Sequence, residues 1–252
     1  MEPNGFIDAG RGSRGTLSLR HLGWAVLAVL ATGCVAQEVL AHGVDPGDAG
    51  FLQSREGFFF WPYLYLGAKH MVTGYDHLLF LAGIVFFLYR LRDVGLYVTL
   101  FALGHSVTLI AGVWFDLPAN AYVIDAIIGL SVVYKAFENL GGFRALGWRI
   151  DTRLAVWVFG LFHGFGLATK LQELGLSADG LLPNLLAFNL GVELGQIAAL
   201  VIILTLMNTW RHVAAGGGAF RRQAILANWL LMTGGFALMG YQLTGYIVGS
   251  TA

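Results

Sequence analysis

Long apolar segments separated by short polar loops run through most of the chain. Five of them are plain, and they cover residues 94–115, 121–140, 154–174, 182–210 and 224–248. Each has the roughly 20 residues that an α-helix needs to cross the ~30 Å apolar core of a bilayer. The pattern therefore predicts an all-α polytopic membrane protein.

A sixth span is interrupted by polar residues. The apolar run at 78–89 has twelve residues, about 18 Å of helix, which is too short to cross a bilayer unless the helix begins near His70. That start draws Asp76 and His77 into the membrane. The alternative is an interfacial or re-entrant segment at 57–75, and the sequence leaves this open.

The N-terminal region is typical of a cleavable signal peptide. Basic residues precede a short apolar run of about 15 residues, the length of a signal-peptide core and less than a membrane span needs. Small side chains up to Ala41 predict cleavage there, with His42 as the mature N-terminus. An uncleaved anchor and lipidation at Cys34 are the alternatives.

These patterns divide the chain into three predicted parts. Residues 1–41 form the signal peptide, and 42–69 form an outward-facing N-terminal segment with a candidate interfacial helix. Residues 70–250 form a six-helix transmembrane bundle.

Lysine and arginine indicate the orientation of the bundle, because cytoplasmic loops contain an excess of these residues. The loops after the first, third and fifth spans contain Arg90, Arg92, Arg144, Arg149, Arg153, Arg211, Arg221 and Arg222, whereas the loops at 116–120 and 177–184 contain none. Both mature termini are therefore predicted to face outward.

The composition agrees with a membrane protein and excludes other classes. Only 12% of the 252 residues are charged, whereas a soluble domain would have about 25%. A formal net charge of zero removes the basic field that nucleic-acid binding requires. The single cysteine, Cys34, excludes an internal disulfide framework and a thiolate metal cluster.

Histidines, acids and amides recur inside the predicted spans at similar depths. Such groups are costly in a bilayer and usually face a partner, a cavity or a pathway. Imidazole nitrogen and carboxylate oxygen are ligands for borderline divalent metals such as nickel, cobalt and zinc. The predicted metal-binding residues are His70, Asp76, His77, His105, Asp125, His163, Asn189 and Glu193. His42, with Asp45 and Asp48, is a candidate capture point outside the membrane.

Two spacings indicate faces that point into the bundle. His70 and His77 share a face if the helix is continuous through Gly74, and Asn189, Glu193 and Gln196 follow the i, i+4, i+7 pattern. For any single residue, a hydrogen bond between helices is an equally good interpretation. Near the inner end of the third span, Lys135, Glu138 and Asn139 form either an interfacial ion-pair region or an inner gate.

Taken in order, the motifs resemble those of the HupE/UreJ family. They are His70-Met-Val-Thr-Gly-Tyr-Asp76-His77, Gly104-His105-Ser106, Phe162-His163-Gly164 and Phe188-Asn189-Leu-Gly-Val-Glu193, within a resemblance that covers residues 57–248. The resemblance implies a bacterial inner-membrane permease, usually with a signal peptide and six spans. Such a permease would import nickel, or in some members cobalt or another metal, for hydrogenase or urease maturation.

The family motifs fall on specific residues of this chain. The H-x5-D-H motif falls on His70, Asp76 and His77, and the later histidine-glycine motif on His163 and Gly164. This chain lacks the second histidine and the acid that often follow the later motif. It also has no proline after His42, where family members often have one. It therefore resembles a divergent branch of the family.

The combined interpretation is a permease with a divalent metal as cargo and no prosthetic group. Its predicted partners are the lipid bilayer and a transition-metal cation, and no nucleic acid. A homo-oligomer and metalloenzyme maturation proteins are further partner candidates. Two alternatives stay open: an intramembrane zinc-dependent hydrolase, and a non-transporting assembly subunit of a metalloenzyme complex.

Overall fold

The computed structural model of the protein describes residues 48, 50, 56–86, 91–174, 177–214 and 219–251. Over these ranges the chain forms helices and their connections, without a β-strand. The helices are α1 (Phe60–Thr73), α2 (Tyr75–Val85), α3 (Leu91–Trp114), α4 (Ala121–Asn139), α5 (Gly142–Ala145), α6 (Thr152–Glu173), α7 (Leu181–Ala214) and α8 (Ala219–Thr251). The predicted signal peptide and His42 lie outside the described residues.

Four helices in the described part of the chain are long and apolar enough to cross a membrane. They correspond to α3, α6, α7 and α8, over Arg92–Trp114, Thr152–Glu173, Leu181–His212 and Arg221–Gly249. Helix α4 is 19 residues long but carries Asp125, Lys135 and Glu138, and the apolar helix α2 has only 11 residues. The prediction of an all-helical, multi-pass membrane protein is confirmed. That the helices make six spans stays a prediction.

The helix that was expected to start near His70 is broken. Helix α1 ends at Thr73 and α2 begins at Tyr75, with Gly74 between them in an extended conformation, φ −73° and ψ 103°. The continuous helix that would put His70 and His77 on one face is therefore wrong. A Cβ atom on Gly74 would lie 2.6 Å from His77 Nδ1, so the glycine leaves room for this imidazole at the break.

Together, α1 and α2 run beside the length of α7. At one end, the Phe59 amide donates a hydrogen bond to Asn184 Oδ1 at 2.8 Å. At the other end, Arg211 donates to the carbonyl oxygens of Val85 and Phe86 at 2.8 and 2.6 Å. The interval from Asn184 to Arg211 is about 40 Å of helix, so the broken pair matches the length of a membrane-crossing helix.

The long helices associate closely as pairs: α1 with α7, α3 with α6, and α4 with α8. Glycines permit this approach. A Cβ on Gly67 would lie 1.9 Å from the Phe188 carbonyl oxygen, and one on Gly191 would lie 1.9 Å from the Leu64 carbonyl oxygen. The interpretation of these glycines as packing residues of membrane helices is therefore consistent with the structure.

The α3–α6 pair brings two histidines to the same level. A Cβ on Gly160 would lie 2.4 Å from the Phe101 carbonyl oxygen, and one on Gly164 would lie 2.0 Å from the His105 carbonyl oxygen. Because the paired residue numbers rise together, the two helices run in the same direction. His105 therefore lies beside His163, one residue before Gly164.

Helix α2 occupies the centre of the bundle. It contacts α1, α3, α4, α7 and α8, and seven of its eleven residues are buried, including Asp76, His77, Phe80 and Ile84. A polar first turn followed by an apolar body is compatible with this position only if neighbouring helices supply partners for the polar groups. The centre of the bundle therefore contains the candidate site.

Candidate metal centre

Three histidines from three helices form the core of the site. His70 on α1, His77 on α2 and His105 on α3 each present one ring nitrogen, and these nitrogens all lie within 4.8 Å of one another. The ring centroids of His70 and His77 are 5.1 Å apart, and those of His77 and His105 are 6.0 Å apart. His77 and His105 are fully buried, and His70 is partly exposed.

The break at Gly74 gives this site two helix ends. His70 lies in the last turn of α1, where the carbonyl end of the helix dipole favours positive charge. Asp76 lies in the first turn of α2, where the amide end favours negative charge. A broken helix thus supports both a cation and the carboxylate that would hold it, an arrangement also used by membrane transporters.

Asp76 and His163 extend the cluster. Asp76 Oδ2 lies 3.2 Å from His77 Nδ1 and 3.8 Å from His163 Nε2, and all three side chains are buried. His163 Nδ1 lies 2.7 Å from the Phe159 carbonyl oxygen. This carbonyl can only accept, so Nδ1 carries the hydrogen and donates. His163 Nε2 and the Asp76 carboxylate then lie within a distance that a cation bound to both could bridge.

Asp125 lies buried on α4 at the side of this cluster. A Cβ on Gly166 would be 3.3 Å from Asp125 Oδ1, and Gly166 is one turn beyond His163 on α6. The structure therefore brings Asp125 to the helix that carries His163. It adds a second buried carboxyl group to this part of the bundle.

The predicted face of α7 is divided between interior and surface. Asn189 is partly buried and accepts a hydrogen bond from Ser106 Oγ at 2.9 Å. Gln196 is buried, but Glu193 is exposed and accepts from Asn189 Nδ2 at 3.4 Å. The buried arc of α7 is centred on the glycines that face α1, and Glu193 lies beyond its edge. The structure thus leaves Glu193 outside the buried imidazole cluster.

The proposed outer capture point is described only in part. His42 and Asp45 lie outside the described residues. Asp48 Oδ2 accepts a hydrogen bond from Lys69 Nζ at 2.7 Å, next to His70 in sequence. This acid is therefore engaged in an ion pair at the end of α1.

A second polar group lies at the opposite end of α2. Asn139 Nδ2 donates to the Gly83 carbonyl oxygen and to Asn228 Oδ1, both at 2.9 Å. Lys135 Nζ lies 2.5 Å from Glu138 Oε2. Asn139 thus joins the C-terminal end of α2 to α4 and α8. Lys135 and Glu138, which the sequence left between an ion-pair region and an inner gate, form an ion pair within α4.

Sequence reasoning missed the phenylalanines that pack against the histidines. The Phe101 ring centroid lies 4.9 Å from that of His163, and the Phe80 centroid lies 5.4 Å from it. Phenylalanine in an apolar span gives no signal by itself. The only available signal was spacing, since both lie one helical turn from a histidine of the cluster.

Comparison with known proteins adds one finding. A family model described as "HupE / UreJ protein" matches residues 47–250. No curated protein and no solved structure matches the chain. The matched range contains the four clustered histidines together with Asp76 and Asp125.

Proposed function

The chain belongs to the HupE/UreJ family, and from this premise we propose that it is a permease that imports a divalent transition-metal cation. Nickel is the first candidate, and cobalt or another divalent metal such as zinc follows. The cation passes through a site that contains His70, His77, His105, His163 and Asp76. Asp125 contributes negative charge beside it.

The observation that carries this proposal is the cluster of His70, His77 and His105, whose ring nitrogens all lie within 4.8 Å of one another. The buried Asp76 carboxylate lies beside it, with Oδ2 3.2 Å from His77 Nδ1 and 3.8 Å from His163 Nε2. A cation bound by these groups offsets the cost of burying the carboxylate. Imidazole with carboxylate and without thiolate is a donor set that suits nickel, cobalt or zinc.

Helix directions support a six-span topology in which α1 and α2 together make the first span. A chain that crosses six times runs in the same direction in spans one and five, and in spans two and four, but in opposite directions in spans three and six. Helices α1 and α7 run in parallel, as do α3 and α6. Helices α4 and α8 are antiparallel, because a Cβ on Gly245 would contact Tyr122 and one on Gly235 would contact Val133.

The same topology gives the location and the direction of transport. With basic loops in the cytoplasm, the mature N- and C-termini face the periplasm of a bacterial inner membrane, after removal of the signal peptide at 1–41. His70, the partly exposed histidine, then lies on the periplasmic side of the cluster and receives the ion first.

Transport by purified protein in proteoliposomes tests the proposal. The wild-type protein should carry nickel, cobalt or zinc into vesicles, and His77→Ala should abolish this flux. His212→Ala is the matched control, because His212 is an exposed histidine at the end of α7, and it should leave the flux unchanged. Equal metal entry with wild-type protein, with His77→Ala and without protein would refute the permease.

The same preparation separates the two alternatives. An intramembrane zinc hydrolase should retain stoichiometric zinc after dialysis and show no flux. An assembly subunit should show neither flux nor a dependence of its complex on His77. A metal that binds and exchanges between the two faces supports the permease.

A further inference from the structure

Three of the four clustered histidines have a phenylalanine one helical turn away, and always on the same side of the cluster. The pairs are His77 with Phe80 on α2, His105 with Phe101 on α3, and His163 with Phe159 on α6. Helix α2 runs opposite to α3 and α6. One turn after the histidine on α2 and one turn before the histidine on α3 and α6 therefore lie at the same level.

These phenylalanines form a contiguous layer directly beneath the imidazoles. The ring centroid of Phe80 lies 5.4 Å from that of Phe101 and 5.8 Å from that of Phe159. The Phe101 centroid lies 6.2 Å from that of His77 and 6.3 Å from that of His105. Phe80 and Phe101 are fully buried, at 0% and 1% exposure.

More apolar side chains continue the layer toward the C-terminal end of α2. Ile84, Val132 and Val156 are buried in one cluster with Phe80 and Phe101. Asn139 donates to the Gly83 carbonyl oxygen and Arg211 to that of Val85, so polar groups contact α2 again near its C-terminal end. A largely apolar zone therefore separates two polar zones along this helix.

The other side of the cluster is more open. His70 and Tyr75 are partly exposed, and Thr73 is exposed. The side of the α1–α2 break is thus the more exposed side of the site, whereas the phenylalanines cover it on the side of Arg211.

From this asymmetry we propose that Phe80, Phe101 and Phe159, the phenylalanine layer, are the inner gate of the metal path. A divalent cation would have to shed its remaining water to enter the layer, where the three rings offer no oxygen or nitrogen ligand, so a closed layer blocks its passage. The ion moves on only when these rings separate. This inference rests on the proposed function, and it makes the side of the α1–α2 break the entry side of the metal path.

A reporter cysteine beneath the layer tests the gate. In a Cys34→Ala background, which removes the single native cysteine, Ile84→Cys places a thiol one turn beyond Phe80. A small cationic thiol reagent that does not cross the inner membrane is added to intact cells. The Ile84→Cys protein should stay unmodified, and the further change Phe80→Ala should lead to its modification from outside.

Phe86→Ala is the matched control, because Phe86 is a buried phenylalanine at the other end of α2 and lies outside the layer. It should leave the reporter thiol unmodified. If Phe80→Ala does not yield a monodisperse protein, Phe101→Ala and Phe159→Ala test the same layer. Modification of the Ile84→Cys thiol from outside while all three phenylalanines are present would overturn the gate. So would a thiol that stays unmodified in every folded variant in which one of these phenylalanines is replaced by alanine.

Cobalt absorption spectra of the purified proteins keep this result apart from the proposed function. If wild-type protein binds cobalt through imidazole and the reporter is modified behind an intact layer, the gate is wrong and the metal site stands. If the wild-type protein binds no metal but the layer still controls access to the thiol, the proposed function is wrong and the barrier stands.

Discussion

The two ends of α2 are both polar and buried, but different chemical groups face each other at the two ends. At the C-terminal end, donors meet acceptors, since Asn139 donates to the Gly83 carbonyl oxygen and Arg211 to those of Val85 and Phe86. At the N-terminal end, the Asp76 carboxylate faces imidazole nitrogens of His77 and His163, at 3.2 and 3.8 Å. The first end is stabilised by these hydrogen bonds, whereas the second contains the ligand atoms of the proposed cation site.

Polar residues inside membrane helices differ in role according to the group that each one faces. Burial and charge alone do not separate structure from function, because Arg211 is as deeply enclosed as many ligands, at 8% exposure. Its charge lies at a helix C-terminus, where the dipole stabilises a cation. The identity of the facing group therefore decides between the two roles, and variants of the two ends should behave differently.

The largest expected effect is on metal binding at the N-terminal end. Asp76→Asn removes the carboxylate that contacts both His77 and His163, and should weaken metal affinity by about 100-fold. Cobalt titration of the purified protein, followed by absorption, measures it. Asp179→Asn, which changes an exposed acid, is the control. Similar affinities for the two variants would mean that the N-terminal end is not a cation site.

The next largest effect is expected where α3 packs against α6, and it tests whether this packing positions His105 and His163. Gly164→Ala would place a Cβ 2.0 Å from the His105 carbonyl oxygen, and should cost about 3 kcal/mol of stability by overpacking. It should also weaken cobalt binding, since His105 and His163 are displaced. Gly95→Ala on α3 has no atom within 4 Å of the added Cβ and should be tolerated. Unfolding curves and titrations that do not differ between these variants would contradict the role of the close approach.

At the C-terminal end we expect loss of stability without loss of affinity. Arg211→Ala leaves the Val85 and Phe86 carbonyls without this donor, which should cost about 2 kcal/mol. Thermal unfolding in detergent measures this loss, and the folded protein should bind cobalt as the wild type does. Arg221→Ala, at an exposed arginine, should change neither property. A selective loss of cobalt affinity in Arg211→Ala would remove the distinction between the two ends.

The smallest effect is expected at Glu193. Because this side chain is exposed and lies beyond the buried arc of α7, Glu193→Gln should change stability by no more than about 0.5 kcal/mol. Cobalt affinity should also stay close to that of the wild type. The same titration and unfolding measurements apply, and an affinity loss comparable to that of Asp76→Asn would place Glu193 among the ligands after all.

The sequence predicted the long helices well because apolar length is a local property. The predicted segments at 94–115 and 154–174 correspond to α3 and α6 within a few residues. It could not predict the break at Gly74, since one glycine among polar residues is compatible with a continuous or a broken helix. The extended backbone conformation of Gly74 distinguishes the two structures.

For the site, residue type was more informative than exact position. Histidine and aspartate inside apolar segments indicated His70, Asp76, His77, His105 and His163, because such residues are rare in spans. Periodicity could not exclude Glu193, since spacing gives a common face but not where the buried arc is centred. The phenylalanine layer was invisible, because phenylalanine is the expected residue in an apolar helix whether or not it lines a path.

The glycine contacts between paired helices have a mechanical consequence. Backbones that touch at Gly160 and Gly164 cannot slide past one another without collision, so α3 and α6 move as one body that carries His105 and His163. His70 belongs to another body, formed by α1 and α7, and His77 to the short helix between them. An ion bound by histidines of all three parts would link them to one another. Binding and release of the ion would then change how these parts can move.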